Sequence, residues 1–244
     1  MASRTRRGRP GSAPQVTQSA SGSDVAEEKR PPARRGHFPN VRAPKRRLSR
    51  STEQSLTTRQ LEILDTLDES VLAGGFSDLT MAEIAKRMTC SLRTLYGIAP
   101  SKEELVLAVA DRHLQRIGRE AMEALELDES PLSRLRAYLR ATNLALQPTT
   151  VIFSMDFNKL PGARQLSDAH AGYIVSITRA LLDEAVESQE VAPLDTAALA
   201  LVLGRLGREF SRPDIEKRIR NSARETADSI AEIILDGLVA RKAP

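Results

Sequence analysis

From Thr57 onward, apolar residues return every three or four positions, and no stretch alternates apolar with polar residues as a half-buried strand would. A strand needs period two to send one face inward, whereas a helix needs 3.6, so this rhythm confines the folded part to an all-α architecture. Leu61, Leu64, Leu67 and Val71 mark a helix predicted from about Thr58 to Ala73, stopped by Gly74-Gly75. Thr80-Met81-Ala82-Glu83 reads as a capping box, in which hydroxyl and carboxylate satisfy the free amides that open a helix. The short helix it opens is predicted to end near Arg87. After Met88-Thr89-Cys90 a second short helix is predicted over 91–98. Pro100 and a second box, Ser101-Lys102-Glu103-Glu104, then start a long helix striped by Val106, Ala110, Leu114, Ile117, Ala121 and Leu125.

The remainder continues in kind. Leu132, Leu135, Leu139 and Leu146 mark one helix, Val151 to Phe157 a short one, and Leu166, His170, Tyr173, Ile177 and Leu181 another. Asp195 is placed as the N-cap of a helix through Ala198, Leu201 and Val202, limited by Pro213. A final helix is read continuously from Ile215 through Ile219, Ala223, Ala227, Ile230 and Ile234 to Leu238, for about nine helices in all.

Charge divides the chain. Residues 1–50 hold 13 Lys and Arg against 3 Asp and Glu, while residues 51–244 hold 23 against 29. The first fifty residues also carry six of the thirteen prolines and few aliphatics, too little apolar surface to offset the entropy of ordering. They are read as a disordered basic arm, either a solubilising tail or a segment that attracts phosphates without reading sequence.

Several function classes drop out. Aromatics are 3% of the chain, with no tryptophan, which disfavours binders that stack unpaired bases. Cys90 stands alone, so no internal disulfide or multi-cysteine metal site is expected. His37, His113 and His170 lie too far apart for ligand spacing, and no metal or cofactor is expected. No glycine-rich phosphate loop, His–carboxylate spacing or nucleophile motif supports a helical enzyme. The longest uncharged run, Ala141 to Met155, is fifteen residues and contains Pro148, below the ~20 apolar residues of a membrane span. The N-terminus leads into no apolar stretch, so no secretory signal is expected. The expectation is a soluble, cytoplasmic protein without a membrane partner.

The informative stretch is Thr80 to Lys102. Two short helices joined by a tight turn and followed by a capped long helix have the form of a helix-turn-helix unit. Ser91, Leu92, Arg93 and Thr94 would stand at the N-terminal end of its second helix, where base edges are reached. Lys86, Arg87, Arg93 and Lys102 give this stretch a basic face, although residues 51–126 carry 8 basic against 13 acidic side chains.

From about Leu56 to Arg116 the residues resemble the tetracycline-repressor (TetR) type of transcriptional regulator. The likeness rests on Thr58-Arg59, Ile63-Leu64, Gly75-Phe76, Thr80-Met81-Ala82-Glu83-Ile84-Ala85, Ser91, and Thr94-Leu95-Tyr96 followed by Pro100-Ser101-Lys102-Glu103-Glu104-Leu105. Three positions depart from the family's usual pattern. Thr89 stands where glycine is common, Gly97 follows the tyrosine, and Ala99 replaces a phenylalanine that packs beneath the second helix, a role Ile98 would share.

The resemblance implies an N-terminal three-helix DNA-binding domain over 56–116, joined by the long helix to a helical effector-binding and dimerisation domain over 117–244. It implies that Thr80, Tyr96 and Lys102 meet phosphates, that Ser91, Leu92, Arg93 and Thr94 face the groove, and that Leu64, Ile84, Ala85 and Leu95 are core. Arg93 matches guanine, because its parallel N–H donors fit O6 and N7. The implied partners are a pseudo-palindromic duplex operator, a second copy of the chain and a small-molecule effector of unknown identity. The output would be ligand-responsive repression.

Ala197, Ala198, Ala200, Gly204 and Gly207 suit close approach either of a partner helix or of a helix in the same chain. Tyr138, Asn143, Phe153, Asp156, Phe157, Asn158, His170 and Tyr173 are polar or aromatic candidates for a pocket lining, but each is read first as ordinary core or surface, and no ligand contact is named. The competing function is a sequence-independent DNA binder driven by the basic arm.

Overall fold

The computed structural model describes residues 38–126, 128–145 and 151–240, and among these the regular structure is helical throughout. The order is α1 (Arg50–Ser55), α2 (Thr58–Gly74), α3 (Met81–Arg87), α4 (Leu92–Tyr96), α5 (Lys102–Glu123), α6 (Pro131–Ala145), α7 (Val151–Phe157), α8 (Ala163–Glu187), α9 (Thr196–Leu203), α10 (Leu206–Phe210), α11 (Pro213–Glu216) and α12 (Ala223–Ala240). The all-α expectation holds, with twelve helices among the described residues rather than nine. Leu146, expected at the end of the helix that starts near Leu132, lies outside the described residues.

Helix α5 organises the rest. Ser101 accepts from the Glu104 amide to start it, and its first three turns bury Leu105 to Ala110 almost without interruption. Those residues join Ile63, Leu64, Leu67 and Val71 of α2, Ile84 and Ala85 of α3, and Leu95 of α4 in one core. Its last turns contribute Ala121, followed by Leu125, to a second core built on Leu135 and Tyr138 of α6, Ile177 and Leu181 of α8, Ala200 of α9 and Leu235 of α12. Leu64, Ile84, Ala85 and Leu95 are all buried, as expected.

Two differences in segmentation have clear causes. The last helix begins at Ala223 because Ser222 and Glu225 form a capping box there. The Ser222 amide donates to Glu225 Oε2 at 3.1 Å, and the Glu225 amide to Ser222 Oγ at 3.2 Å. The helix expected after Asp195 breaks at Gly204, whose bare Cα lies so close to α8 that a Cβ there would sit 3.0 Å from Val175 Cγ2 and 3.1 Å from its Cα. The small residues Ala200 and Gly204 thus serve close packing within the chain.

Of the first fifty residues, the structure describes those from Phe38 onward. Residues 1–37 lie outside the described residues. From Phe38 the chain runs as a strap: Phe38 and Val41 pack against the second core and Leu48 against the first. The Arg47 amide donates to Asp111 Oδ2 at 2.8 Å, and Arg46 pairs with Glu53 of α1, which also pairs with Arg112. The expectation of disorder fails for this part because three apolar side chains and one backbone bond are enough to seat a short extended segment.

Buried polar groups tie the two cores. Asp111 accepts from the Arg47 amide, from Gln115 at 2.9 Å and, through Oδ1, contacts His170 Nε2 of α8 at 2.9 Å. Burial alone would raise its pKa, but the His170, Arg47 and Gln115 bonds together hold it below the usual value. Asp156 of α7 accepts through Oδ2 from the Phe76 amide at 3.2 Å and the Ser77 amide at 3.0 Å, fastening α7 to the loop after α2. The Ser77 side chain first, then the Ser77 and Phe76 amides and Lys159, hold the Asp156 carboxyl well below the usual range against the opposing effect of burial. Gly75 is required beside it: its φ is +72°, and a Cβ would lie 2.7 Å from Ile152 Cγ2 and 3.0 Å from Asp156 Oδ2.

Because the folded pKa of Asp156 is depressed, the carboxylate's contribution is complete above its ordinary value of 3.8 and is lost as pH falls below it. Asp156→Asn should therefore destabilise the chain by about 1–3 kcal/mol at pH 7. The gap between variant and wild type should narrow below pH 4 in urea unfolding followed by circular dichroism. A gap that stays constant over that range would contradict the clamp.

Candidate nucleic-acid interface

Helices α3 and α4 are each capped by their own sequence. Thr80 Oγ1 accepts from the Glu83 amide at 3.2 Å while Glu83 Oε2 accepts from the Thr80 amide at 2.7 Å, completing the box. Ser91 Oγ accepts from the Thr94 amide at 3.1 Å and starts α4. Between them the Cys90 amide donates to Ala85 O at 2.9 Å and the Thr89 amide to Lys86 O at 3.2 Å. This is the Schellman pattern, and Thr89 occupies its left-handed position with φ +48°. The departure at Thr89 is thereby explained: the backbone takes the glycine conformation with a β-branched residue in it.

Two side chains of α2 brace the unit, and helical periodicity carried no sign of either. Arg59 Nη2 donates to Met88 O at 2.9 Å, and Gln60 Nε2 donates to Thr94 O at 3.2 Å. Gly97 leaves room for that amide, since a Cβ there would come within 2.7 Å of Gln60 Nε2. Beneath α4, Leu95 is completely buried, and Ile98 and Ala99 complete the floor in place of one large aromatic ring.

With α4 so fixed, its outer side is set. Leu92 is 43% and Tyr96 53% exposed, large values for apolar and aromatic residues. Ser91 and Arg93 are exposed beside them, and Lys86 and Arg87 are exposed on α3. Thr94 differs from its neighbours: it is partly buried, its hydroxyl 2.8 Å from Ser91 Oγ and its carbonyl held by Gln60. Lys102 Nζ donates to Ser77 O at 3.2 Å, which fixes its ammonium beside the start of α3 and leaves two further donors. Thr80 is exposed at the N-terminus of α3. Cys90 is partly buried, and that burial pushes its thiol pKa up, opposite to what a reactive thiolate needs.

The residues left open between pocket and core divide. Asn143, Phe153, Phe157, Asn158 and His170 line a cavity of about 870 Å³, whereas Tyr138 is core and Asp156 clamps the loop after α2. Tyr173 packs beside the second core. His113 lines the same cavity. In the sequence it reads only as a histidine outside any metal-ligand spacing.

Residues 63–109 match the sequence model of bacterial regulatory proteins of the tetR family. A comparison with curated proteins finds no match. Among solved structures, the TetR-family transcriptional regulator PfmR from Thermus thermophilus is 22% identical, with TM-score 0.53 over 72% of this chain and 98% of that one. A TetR transcription regulator from Haloarcula marismortui is 17% identical, with TM-score 0.61 over 74% and 97%. Reduced NemR of E. coli is 21% identical, with TM-score 0.58 over 72% and 96%. The chain shares the all-α fold of these regulators.

Thr89→Gly removes the side chain from a left-handed position and should stabilise the chain by about 1 kcal/mol, part of the strain relief being offset by the freer unfolded chain. A higher urea midpoint at unchanged slope is the expected readout. A lower midpoint would show that the threonine contributes more by contact than it costs in backbone strain.

Proposed function

We propose that this chain, whose residues 63–109 match the tetR family model, is a sequence-specific, ligand-responsive transcriptional regulator that acts as a repressor. One observation carries the reading: α4 is locked from behind by Leu95, Gln60 and the Schellman turn, while Leu92, Arg93 and Tyr96 stand free on its outer side. A short rigid helix with exposed side chains at its N-terminal end fits the major groove. Arg93 reads guanine, Leu92 meets a thymine methyl, and Ser91 supplies a further polar contact. Thr80, Tyr96 and Lys102 position the unit on phosphates. Thr94 acts chiefly by shaping the start of α4 together with Ser91.

The DNA-binding domain extends over 56–116 and the effector-binding and dimerisation domain over 117–244. Dimerisation is supported by apolar side chains left uncovered on α9 and α12, among them Leu201, Val202, Val239 and Ile233, the last 70% exposed. Two recognition helices about 34 Å apart would match a pseudo-palindromic site. The cavity between the two cores is the place for the effector, and its occupancy changes the geometry of the DNA-binding halves. The protein works in the cytoplasm and needs no cofactor.

Selection of bound duplexes from random DNA by the full chain at physiological salt tests the reading. Recovery of a pseudo-palindrome is the expected outcome. On it, Arg93→Ala should cost about 1–3 kcal/mol and relax preference at particular base pairs. Lys102→Ala should weaken binding to all sequences alike and lower the salt slope by about one. A variant lacking residues 1–37 should keep the same preferred sequence. Loss of nearly all affinity in that variant, with no sequence enriched by the full chain, would instead establish an arm-driven, sequence-independent binder.

A further inference from the structure

The 870 Å³ cavity has chemically distinct ends. Its wall includes the stacked pair Phe153 and Phe157, with ring centroids 5.3 Å apart, and aliphatic side chains from α6, α8 and α9. Its rim holds four arginines, Arg164, Arg205, Arg208 and Arg212, against two carboxylates, Asp168 and Glu209. The carboxylates are already engaged: Asp168 pairs with Arg208 at 3.1 Å and Arg164 at 3.6 Å, and Glu209 with Arg212 at 2.9 Å, while Asp214 beside the rim also pairs with Arg212 at 3.0 Å. Arg205 has no ion pair among the described residues, so the rim keeps an excess of positive charge.

A second observation lies deeper. His113 lines the cavity with a side chain only 3% exposed, and its Nε2 has no hydrogen-bond partner. Arg116 Nη2 lies 2.9 Å from Nδ1, and a guanidinium can only donate. Nδ1 also lies 3.1 Å from Asp68 Oδ1, so both of its neighbours, a donor and an acceptor, are on that side of the ring, and Nε2 on the other side is a buried polar atom without a partner in either tautomer. Such an orphan costs free energy unless a ligand satisfies it. Excess cationic donors at the rim, an unpartnered polar atom inside and an aromatic and aliphatic wall all favour one kind of guest.

We propose that this cavity binds an organic anion with an apolar body, its acidic group drawn by the rim arginines and its body set against Phe153 and Phe157. The inference rests on the regulator reading only for its consequence, since it names the chemical class of the effector. His113 also supplies a route to the DNA-binding half: its Nδ1 lies 3.1 Å from Asp68 Oδ1 of α2 and 2.9 Å from Arg116, which itself pairs with Asp68 at 2.7 Å. A guest that engages the cavity side of the imidazole shifts a ring already tied to the helix that braces α4.

The test compares two fluorescent probes with the same ring skeleton, 8-anilinonaphthalene-1-sulfonate and its uncharged counterpart N-phenyl-1-naphthylamine, titrated into the full chain, with decanoate as competitor. Saturable binding of the sulfonate at least tenfold tighter than the neutral probe, with displacement by decanoate, is expected. Arg205→Gln combined with Arg208→Gln should weaken the sulfonate tenfold or more and leave the neutral probe unchanged, while Phe153→Ala should weaken both. Melting curves by circular dichroism confirm that each variant is folded. Should the double variant unfold, Arg205→Gln alone carries the test, because its side chain holds no ion pair among the described residues.

Equal affinity for the two probes, no saturable binding of the sulfonate, or indifference to the arginine substitutions would overturn the proposal. Duplex selection run on the same preparations separates the two readings. Enrichment of a palindrome without anion binding removes this inference alone. Anion binding as expected with no sequence enriched removes the regulator reading and leaves the site intact.

Discussion

The burial of α5 on two sides is the constraint from which the rest of the structure follows. Its N-terminal turns are apolar nearly all round because α2, α3, α4 and the strap enclose them, and its C-terminal turns pass into a second core under α6 and α8. A helix that belongs to two cores cannot move in one without disturbing the other, since close-packed interiors transmit displacement instead of absorbing it. The polar groups of α5 reinforce this. Asp111 faces His170 of α8 and the strap, whereas His113 and Arg116 face Asp68 of α2.

This arrangement accounts for the charged residues in the interior. Asp68, Asp111, Asp156, His113 and His170 are all buried, and each joins elements far apart in the chain. A hydrophobic contact would tolerate sliding, whereas a carboxylate accepting two amides, as Asp156 does from Phe76 and Ser77, admits a narrow range of geometry. The exposed side of α4 depends on such fixed supports, which hold its outer side chains in place.

What could be read from the sequence follows the range of the interactions involved. The caps at Thr80 and Ser101 act over three residues, and their motifs were plain. Leu64, Ile84 and Leu95 repeat at helical spacing, and their burial was plain as well. The Ser222–Glu225 box was equally local but lay within a stripe from Ile215 to Leu238 that reads as one continuous helix. Asp156 meets Phe76 across 80 positions and Arg47 meets Asp111 across 64, and no pattern of period or composition encodes such pairs. The strap escaped notice because Phe38, Val41 and Leu48 are too few to form a period, though each fills a place in a core. At the interface, Thr89 was recognisable as a departure, while the supporting bonds of Arg59 and Gln60 depend on the fold alone.

The strap also bears on the order in which the chain is made. Residues 38–49 leave the ribosome before any surface they rest on exists: Asp111 follows about sixty residues later, and the second core closes only with Leu235 of α12. At roughly 5–20 residues per second, Phe38 waits on the order of ten to forty seconds for its seat. During that interval a strongly basic segment precedes a half-built acidic domain, free to meet whatever polyanions surround the ribosome. Seating the strap is therefore a late event of biogenesis, though it involves residues synthesised before the surfaces they rest on.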